Sequence, residues 1–321
     1  MAGQNEQIEQ AVAILRAGGL LGLPTETVYG LAADACHPEG LGKIFAAKGR
    51  PADHPVILHL AEGADLTDWA CDISPAAWML AKAFWPGPLT LILKKSARVP
   101  YAVTGGQDTV GIRVPDHALA QRVLKQFGSA VAAPSANRFG RISPTDAKAV
   151  YEELGEAVDL ILDGGPCSLG IESTIVDCSG GVPQILRPGF ISAEDIRSVL
   201  HTEILFREKA ETRVSGSHEV HYAPATPAKL MSQAMLAEAL KTCTENDFPL
   251  ALMTTDHKNN PHRPGIVFKG MPADAAAYAH VLYQTLRELD QKNLHAIWIE
   301  DVPQNDEWRA VRDRLKRASA G

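Results

Sequence analysis

Residues 1–207 predict a twisted mixed β-sheet with flanking helices, and residues 228–321 a smaller α/β domain with parallel strands. Three observations lead there. Short runs rich in β-branched residues, bounded by turn residues, are interspersed with amphipathic helical segments along the first 200 or so residues. Several of those runs follow one another with no helical pattern between them, which fits a mixed sheet better than a doubly wound parallel one. After Phe206 the sequence turns to REKAETRVSGSHEVHYAPATP, which has no apolar period and ends in prolines, so 208–227 reads as a linker.

The elements follow in order. Ile8, Ala11, Val12 and Leu15 fall on one face of a first helix that Gly18-Gly19 ends, and a strand, LLGLP, comes next. The loop TETVYG precedes a short helix over 38–47 with Leu41, Ile44 and Phe45 inward, and a strand over 56–60 follows. Ser74 caps a helix that opens on Pro75 and is stopped near Phe84 by WPGP. Strands are expected at LTLIL, TVGIRV, AVAAP, LILD, STIVD and QILRP, with helices over 118–127 and 146–154. A helix over 193–200 carries the capping pair Ser192 and Asp195. Beyond the linker, a helix over 232–240, strands PLALMT and GIVFK, a long helix over 274–289, strand HAIWIE and a final helix with Trp308, Val311 and Leu315 suggest a small Rossmann-like domain. No G-x-G-x-x-G follows its first predicted strand, so no dinucleotide is assigned to it.

Composition narrows the possibilities. At 321 residues and 45% apolar side chains the chain is long enough for two cores. No run of eighteen apolar residues occurs and MAGQNEQIEQ lacks a secretory pattern, so a cytoplasmic protein without membrane contact is expected. The five cysteines form no C-x-x-C pair or zinc spacing and read as reduced, mostly buried thiols. A formal charge of −7 argues against broad electrostatic adhesion to nucleic acid, so direct binding of that kind is expected to be weak or absent. It leaves room for a small anion held by a few cations.

Five stretches place polar residues where strands meet loops: PTETVYG, KGRPADHPVILH, TVGIRVP, APSANRFGRISPT, and GIESTIVD with ILRPG. They supply Lys48, Arg50, Arg113, Arg141 and Arg187 as cations, and Thr25, Thr27, Thr109, Ser135, Asn137, Ser143, Ser173 and Thr174 as hydrogen-bonding groups. That set suits an oxyanion ligand. Taken alone, Lys48-Gly49-Arg50 is equally a charged helix end, Thr25 and Thr27 are turn residues, and His59 is a satisfied imidazole. Arg113, inside an apolar strand, must find an anion or a carboxylate, and Arg187 raises the same demand. There is no Walker A sequence, G-x-S-x-G elbow, H-E-x-x-H or kinase signature.

In this order, PTETVYGLA, AKGRPADHPVILH, TVGIRVP, APSANRFGRISPT, ESTIVD and ILRPG closely resemble the YrdC-like domain, and HYAP plus a small Rossmann-like domain resembles the two-domain threonylcarbamoyladenylate synthases. The resemblance implies ATP, L-threonine and bicarbonate as substrates, threonylcarbamoyl-AMP and pyrophosphate as products, and transfer of the threonylcarbamoyl group to tRNA by a separate complex. It implies a threonine site at Thr27, His59, Arg113, Ala133 and Ser173. Arg50, His54, Thr109, Ser135, Ser143 and Arg187 would contact the nucleotide, with Tyr222 closing over it from the linker. Lys48 and Arg50 would neutralise phosphate charge during displacement, and Mg²⁺ would ride on the phosphates without a protein cage. His54 stands where the family commonly has asparagine. Two other readings stay open at this stage: a module that binds double-stranded RNA or a ribosomal site without catalysis, and a different carbamoyl-adenylate enzyme on the same scaffold.

Overall fold

The computed structural model describes residues 2–206, 213–214, 221–256 and 260–321, and it divides into two compact units: 1–139 with 143–217, and 140–142 with 218–321. Of the expected linker, 208–212 and 215–220 lie outside the described residues. The first unit holds, in chain order, α1 (Ala2–Arg16), β1 (Leu21–Leu23), β2 (Gly30–Asp34), α2 (Pro38–Lys48), β3 (Ile57–His59), β4 (Ala70–Cys71), α3 (Pro75–Phe84), β5 (Leu89–Lys95), α4 (Tyr101–Thr104), β6 (Thr109–Arg113), α5 (Ala118–Phe127), β7 (Val131–Ala132), α6 (Ala147–Leu154), β8 (Leu160–Ile161), β9 (Thr174–Asp177), β10 (Gln184–Arg187), α7 (Ala193–Leu200) and β11 (Leu205–Phe206). Their order in the sheet is β11-β10-β9-β5-β6-β3-β7-β2-β1-β8, with β4 paired to β5. Pairing is mixed: β5 runs antiparallel to β6 and parallel to β9, and β3 runs parallel to β6 and antiparallel to β7.

The alternation of side chains along these strands decides what each face does. Val110 and Ile112 of β6 share a face with Leu58, Leu91 and Leu93, and α2, α3, α6 and α7 bury that face as the main core. Thr109, Gly111 and Arg113 point the other way, with Ile57 and His59 of β3, Thr90 and Ile92 of β5, and Ile175 of β9. Helices α1 and α5 cover this second face only over the β7-β2-β1-β8 half, through Ile8, Val12, Leu15, Val123, Leu124 and Phe127. The remaining half carries an apolar floor of Ile57, Ile92 and Ile175, onto which Val214 packs.

Local signals explain most boundaries. Ser74 accepts from the Ala77 amide and Ser192 forms its capping box with Asp195, as their spacing predicts. Four strands were not expected: the two-residue β4 and β11, and two longer ones. GLAAD (β2) is buried along nearly its whole length, so it shows no polar alternation, and AKLM, the first strand of the second unit, follows directly on the prolines of the linker. The thiols also differ from expectation. Cys167 and Cys178 are buried, but Cys36 lies in the turn after β2 and Cys71 on the edge strand β4, and both are exposed.

The second unit consists of β12 (Ala228–Met231), α8 (Gln233–Thr242), β13 (Leu250–Thr254), β14 (Ile266–Gly270), α9 (Ala275–Asp290), β15 (Ala296–Glu300) and α10 (Arg309–Ala318). Its four strands are all parallel in the order β12-β15-β13-β14, as the Rossmann-like reading requires. Among the described residues of the chain no helix is long and apolar enough to cross a membrane.

Gly189 of the ILRPG turn lies against the start of β9, where an added Cβ would stand 2.3 Å from the Thr174 amide nitrogen. Gly189→Ala is expected to destabilise the protein by about 1–3 kcal/mol in urea denaturation. Gly180→Ala, in open space, should stay within about 0.5 kcal/mol.

Candidate active site

Arg113 ends β6 on the half of the sheet face that the helices leave clear, and its side chain is 5% exposed. A guanidinium desolvated to that degree needs acceptors in several directions. Its Nε donates to the Gly87 carbonyl at 3.2 Å, Nη1 to the Thr27 hydroxyl at 2.7 Å, and Nη2 forms an ion pair with Glu26 at 2.6 Å. The Thr27 hydroxyl lies 2.9 Å from that of Thr25, which donates to the Val28 carbonyl and so holds the PTETVYG turn closed. The carboxylate demanded by an arginine in an apolar strand is therefore Glu26, two residues from Pro24 in a stretch whose threonines alone drew attention.

His59 is the register partner of Arg113 on β3 and is buried. Burial, together with the neighbouring Arg113 charge, lowers its imidazole from 6.5 to about 3, so it is neutral at pH 7. On the other side of β6, Thr90 shares a 2.7 Å hydrogen bond with the Ser173 hydroxyl. Arg187 donates from Nε and Nη2 to the Ser173 carbonyl at 3.1 and 2.9 Å, and from Nη2 to its hydroxyl at 3.2 Å. A bulge between Ile185 and Arg187 makes this possible: Ile185 pairs with Val176 on the core face, whereas Arg187 pairs with Ile175 on the opposite one. Ser143 is fully buried and donates to Glu172 at 2.6 Å, directly beside Ser173 in sequence. The Ala133 amide is tied to the Ile57 carbonyl at 3.0 Å, which fixes the strand leading to Ser135.

The Lys48–Arg50 stretch is shaped by Gly49, whose φ of +61° ends α2 in the left-handed conformation that glycine adopts without strain. Lys48 is buried, and its Nζ donates to the carbonyls of Ser135 and Asn137, both at 2.5 Å. Burial, and secondarily the Arg50 charge, hold the Lys48 ammonium well below its ordinary value. In this structure Lys48 thus braces the loop after β7, with two of its three N–H groups in use. Arg50 donates to the Pro55 carbonyl at 2.8 Å, and its guanidinium lies 5.9 Å from the Phe139 ring, against which the His54 ring also packs at 5.3 Å. Pro55 and Thr109 line a small cavity at the apolar end of the face, together with Gly111, Arg213 and Val214. Arg213 pairs with Asp53 at 3.1 Å and donates to the Gly105 carbonyl at 2.8 Å, which holds Val214 over the floor.

Two residues of the sequence reading belong to the second unit. Arg141 falls within the short segment that belongs to the second unit, and its Nη2 pairs with Asp290 at 2.9 Å. Burial alone would raise that carboxyl, but hydrogen bonds from the Ala225 and Thr226 amides, aided by Arg141, hold it below its ordinary value. Tyr222 is also in the second unit, 1% exposed, at φ +62°, with its ring near Tyr283 (5.6 Å) and the Arg314 guanidinium (5.4 Å). Sequence reasoning missed Glu26, Thr90 and Glu172. The demand of Arg113 for a counter-charge was the signal for Glu26, whereas Thr90 becomes visible only once β5 is seen beside β9.

A sheet face that buries guanidinium groups among hydroxyls defines the class of protein: an α/β enzyme domain with a cluster of buried cations. The family model Sua5_yciO_yrdC, described as "Telomere recombination", matches residues 13–189, and the model described as "Threonylcarbamoyl-AMP synthase, C-terminal domain" matches 191–320. The chain belongs to this family, in its two-domain form. It is 37% identical to the threonylcarbamoyl-AMP synthase of Bacillus subtilis over an alignment spanning 100% of this chain and 95% of the relative. It is 36% identical to that of Pyrococcus abyssi, over 98% of this chain and 94% of the relative. The crystal structure of P. abyssi Sua5 complexed with L-threonine superimposes with a TM-score of 0.88 at 34% identity, covering 97% of this chain and 94% of that one.

The His59 shift sets a pH dependence. Its folded pKa of about 3 lies below the ordinary 6.5, so between those values the unfolded chain binds a proton that the folded chain does not. Its contribution to stability is complete above pH 6.5 and is lost as pH falls toward 3. In denaturation curves between pH 4 and 6, His59→Gln is expected to flatten the decline by up to about 1.4 kcal/mol per pH unit.

Proposed function

We propose that the protein is a threonylcarbamoyl-AMP synthase that joins L-threonine, bicarbonate and ATP, releases pyrophosphate, and passes its product to a separate complex that modifies tRNA. Family membership over the whole length supports the reaction. The observation that carries the site is the pair of buried arginines, Arg113 and Arg187, which β6 and the bulged β10 deliver to the same sheet face, where they bond to Thr27 and Ser173.

The chemistry asks for no protein nucleophile. The threonine amine adds to bicarbonate to form an N-carboxylate with loss of water, that carboxylate attacks the α-phosphorus of ATP, and pyrophosphate leaves. The amino-acid carboxylate, the carbamate and the triphosphate repel one another, so the protein's task is to supply placed cations and to exclude water. Arg113 has five N–H groups, of which one on Nε and one on Nη1 donate hydrogen bonds while Nη2 is ion-paired with Glu26, so donors remain for the threonine carboxylate. Neutral His59 and the hydroxyls of Thr27 and Ser173 complete that end, beside the backbone at Ala133. Arg187, Arg50, His54, Thr109, Ser135 and Ser143 take the nucleotide, whose base suits the floor of Ile57, Ile92 and Ile175. Lys48 holds the Ser135 loop, and an arriving phosphate would favour its charged form.

Magnesium ion would neutralise phosphate charge and fits here as cargo of the triphosphate. Among the described residues, no three or more His, Cys, Asp and Glu side chains group to hold a metal. The reading places the protein in the cytoplasm, and with a net charge of −7 it meets tRNA through a partner rather than directly.

Pyrophosphate release that requires both threonine and bicarbonate is the expected result with purified protein, and threonine-independent turnover would contradict it. Arg187→Gln should lower kcat/KM for ATP on the order of 10² to 10³-fold in the same assay, with far-ultraviolet circular dichroism unchanged.

A further inference from the structure

Glu26 is more than the partner that a buried arginine requires. Its side chain is 7% exposed and its Oε1 lies 2.6 Å from Arg113 Nη2. Both of its carboxylate oxygens are buried and neither accepts a hydrogen bond among the described residues; Oε1 is met by the Arg113 charge, and Oε2 by no donor. The backbone around it leaves the side chain little latitude: the Leu169 amide donates to the Glu26 carbonyl at 2.8 Å, and the flanking Thr25 and Thr27 hydroxyls bond to each other. An ionised carboxylate accepts at both oxygens, and one oxygen kept from water without a donor is unfavourable unless a ligand supplies one. A pair retained for stability alone could be replaced by apolar side chains at little or no loss. This one instead offers a free acceptor on Glu26 beside unused donors on Arg113.

That arrangement is the complement of an amino-acid zwitterion. We propose that Glu26 is the ammonium site for threonine: Oε2 accepts from the substrate's α-ammonium while the uncommitted N–H groups of Arg113 donate to its carboxylate. The inference rests on the reading above that threonine lies at the Arg113 end of the face. It concerns how the zwitterion is seated, before the amine gives up its proton and adds to bicarbonate. Glu26 then selects for a free α-amino group, and a ligand that keeps the carboxylate and both carbon substituents but lacks the nitrogen leaves Oε2 buried and unanswered.

The test compares calorimetric binding of L-threonine with that of (2S,3R)-2,3-dihydroxybutanoate, in which a hydroxyl replaces the ammonium, on the full-length protein. The wild-type protein is expected to prefer threonine by at least about 100-fold. Glu26→Gln should weaken threonine by about 10- to 100-fold and barely affect the dihydroxy acid, so that the preference collapses to a few-fold, and Glu26→Asp should restore part of it. A purely structural Glu26 would weaken both ligands together, and an undiminished preference in Glu26→Gln would equally overturn the proposal. If Glu26→Gln does not fold, the wild-type comparison decides: affinities within about threefold of each other overturn the proposal. Thr27→Val and Arg113→Gln separate the two levels. If both leave threonine affinity unchanged, threonine sits elsewhere and the parent reading falls with this one; if they weaken it while the Glu26 results fail, only the ammonium site is wrong.

Discussion

An arginine in the middle of a sheet is a liability unless its charge is answered, and the site is organised around that constraint. Arg113 is answered by three groups from two separate parts of the chain: a carbonyl before β5, and a hydroxyl and a carboxylate in the turn before β2. Each contact fixes the distance between segments that are remote in sequence. Removing Glu26 leaves an uncompensated buried charge, the costly way to break such a pair, whereas the intact pair need contribute little net stability. The cluster is therefore better understood as a device for position than as a source of stability.

The sheet makes the device possible through the alternation of its side chains. Every second residue of β3, β5, β6 and β9 enters the core, and the residues between them are delivered to the opposite face at spacings the ladder fixes. The bulge in β10 adds Arg187 to that face where simple alternation would have sent it into the core with Ile185. Because α1 and α5 cover only part of this face, the polar residues at Arg113 and Ser173 adjoin an apolar floor crossed by Val214. A polar end and an apolar end follow from one geometric choice.

Much of this was legible in the sequence. The helix starts at Ser74 and Ser192 and the stop at Gly49 rest on local hydrogen bonding, so their residues announce them. The parallel second sheet was expected from strands followed by helices, although β13 and β14 pair in parallel with no helix described between them. What escaped were features decided by neighbours distant in the chain. β2 lacks alternation because it is buried on both faces, and Thr90 gains meaning only from Ser173 across the sheet. Arg141 shares a motif with Ser143 yet binds Asp290 in the other unit, and sequence proximity gave no hint of that division. Lys48, read alone as a charged helix end and with the family as a phosphate-neutralising cation, turns its ammonium inward onto two carbonyls.

The central claim is that one half of one sheet face holds both reactants, and a crystal structure with L-threonine and a non-hydrolysable ATP analogue tests it most directly. The account predicts electron density for the amino-acid carboxylate within hydrogen-bonding distance of Arg113, and for the phosphates within reach of Arg187 and Arg50. Density for either ligand bound away from these side chains, with the face beside Ile92 and Ile175 left vacant, would contradict it.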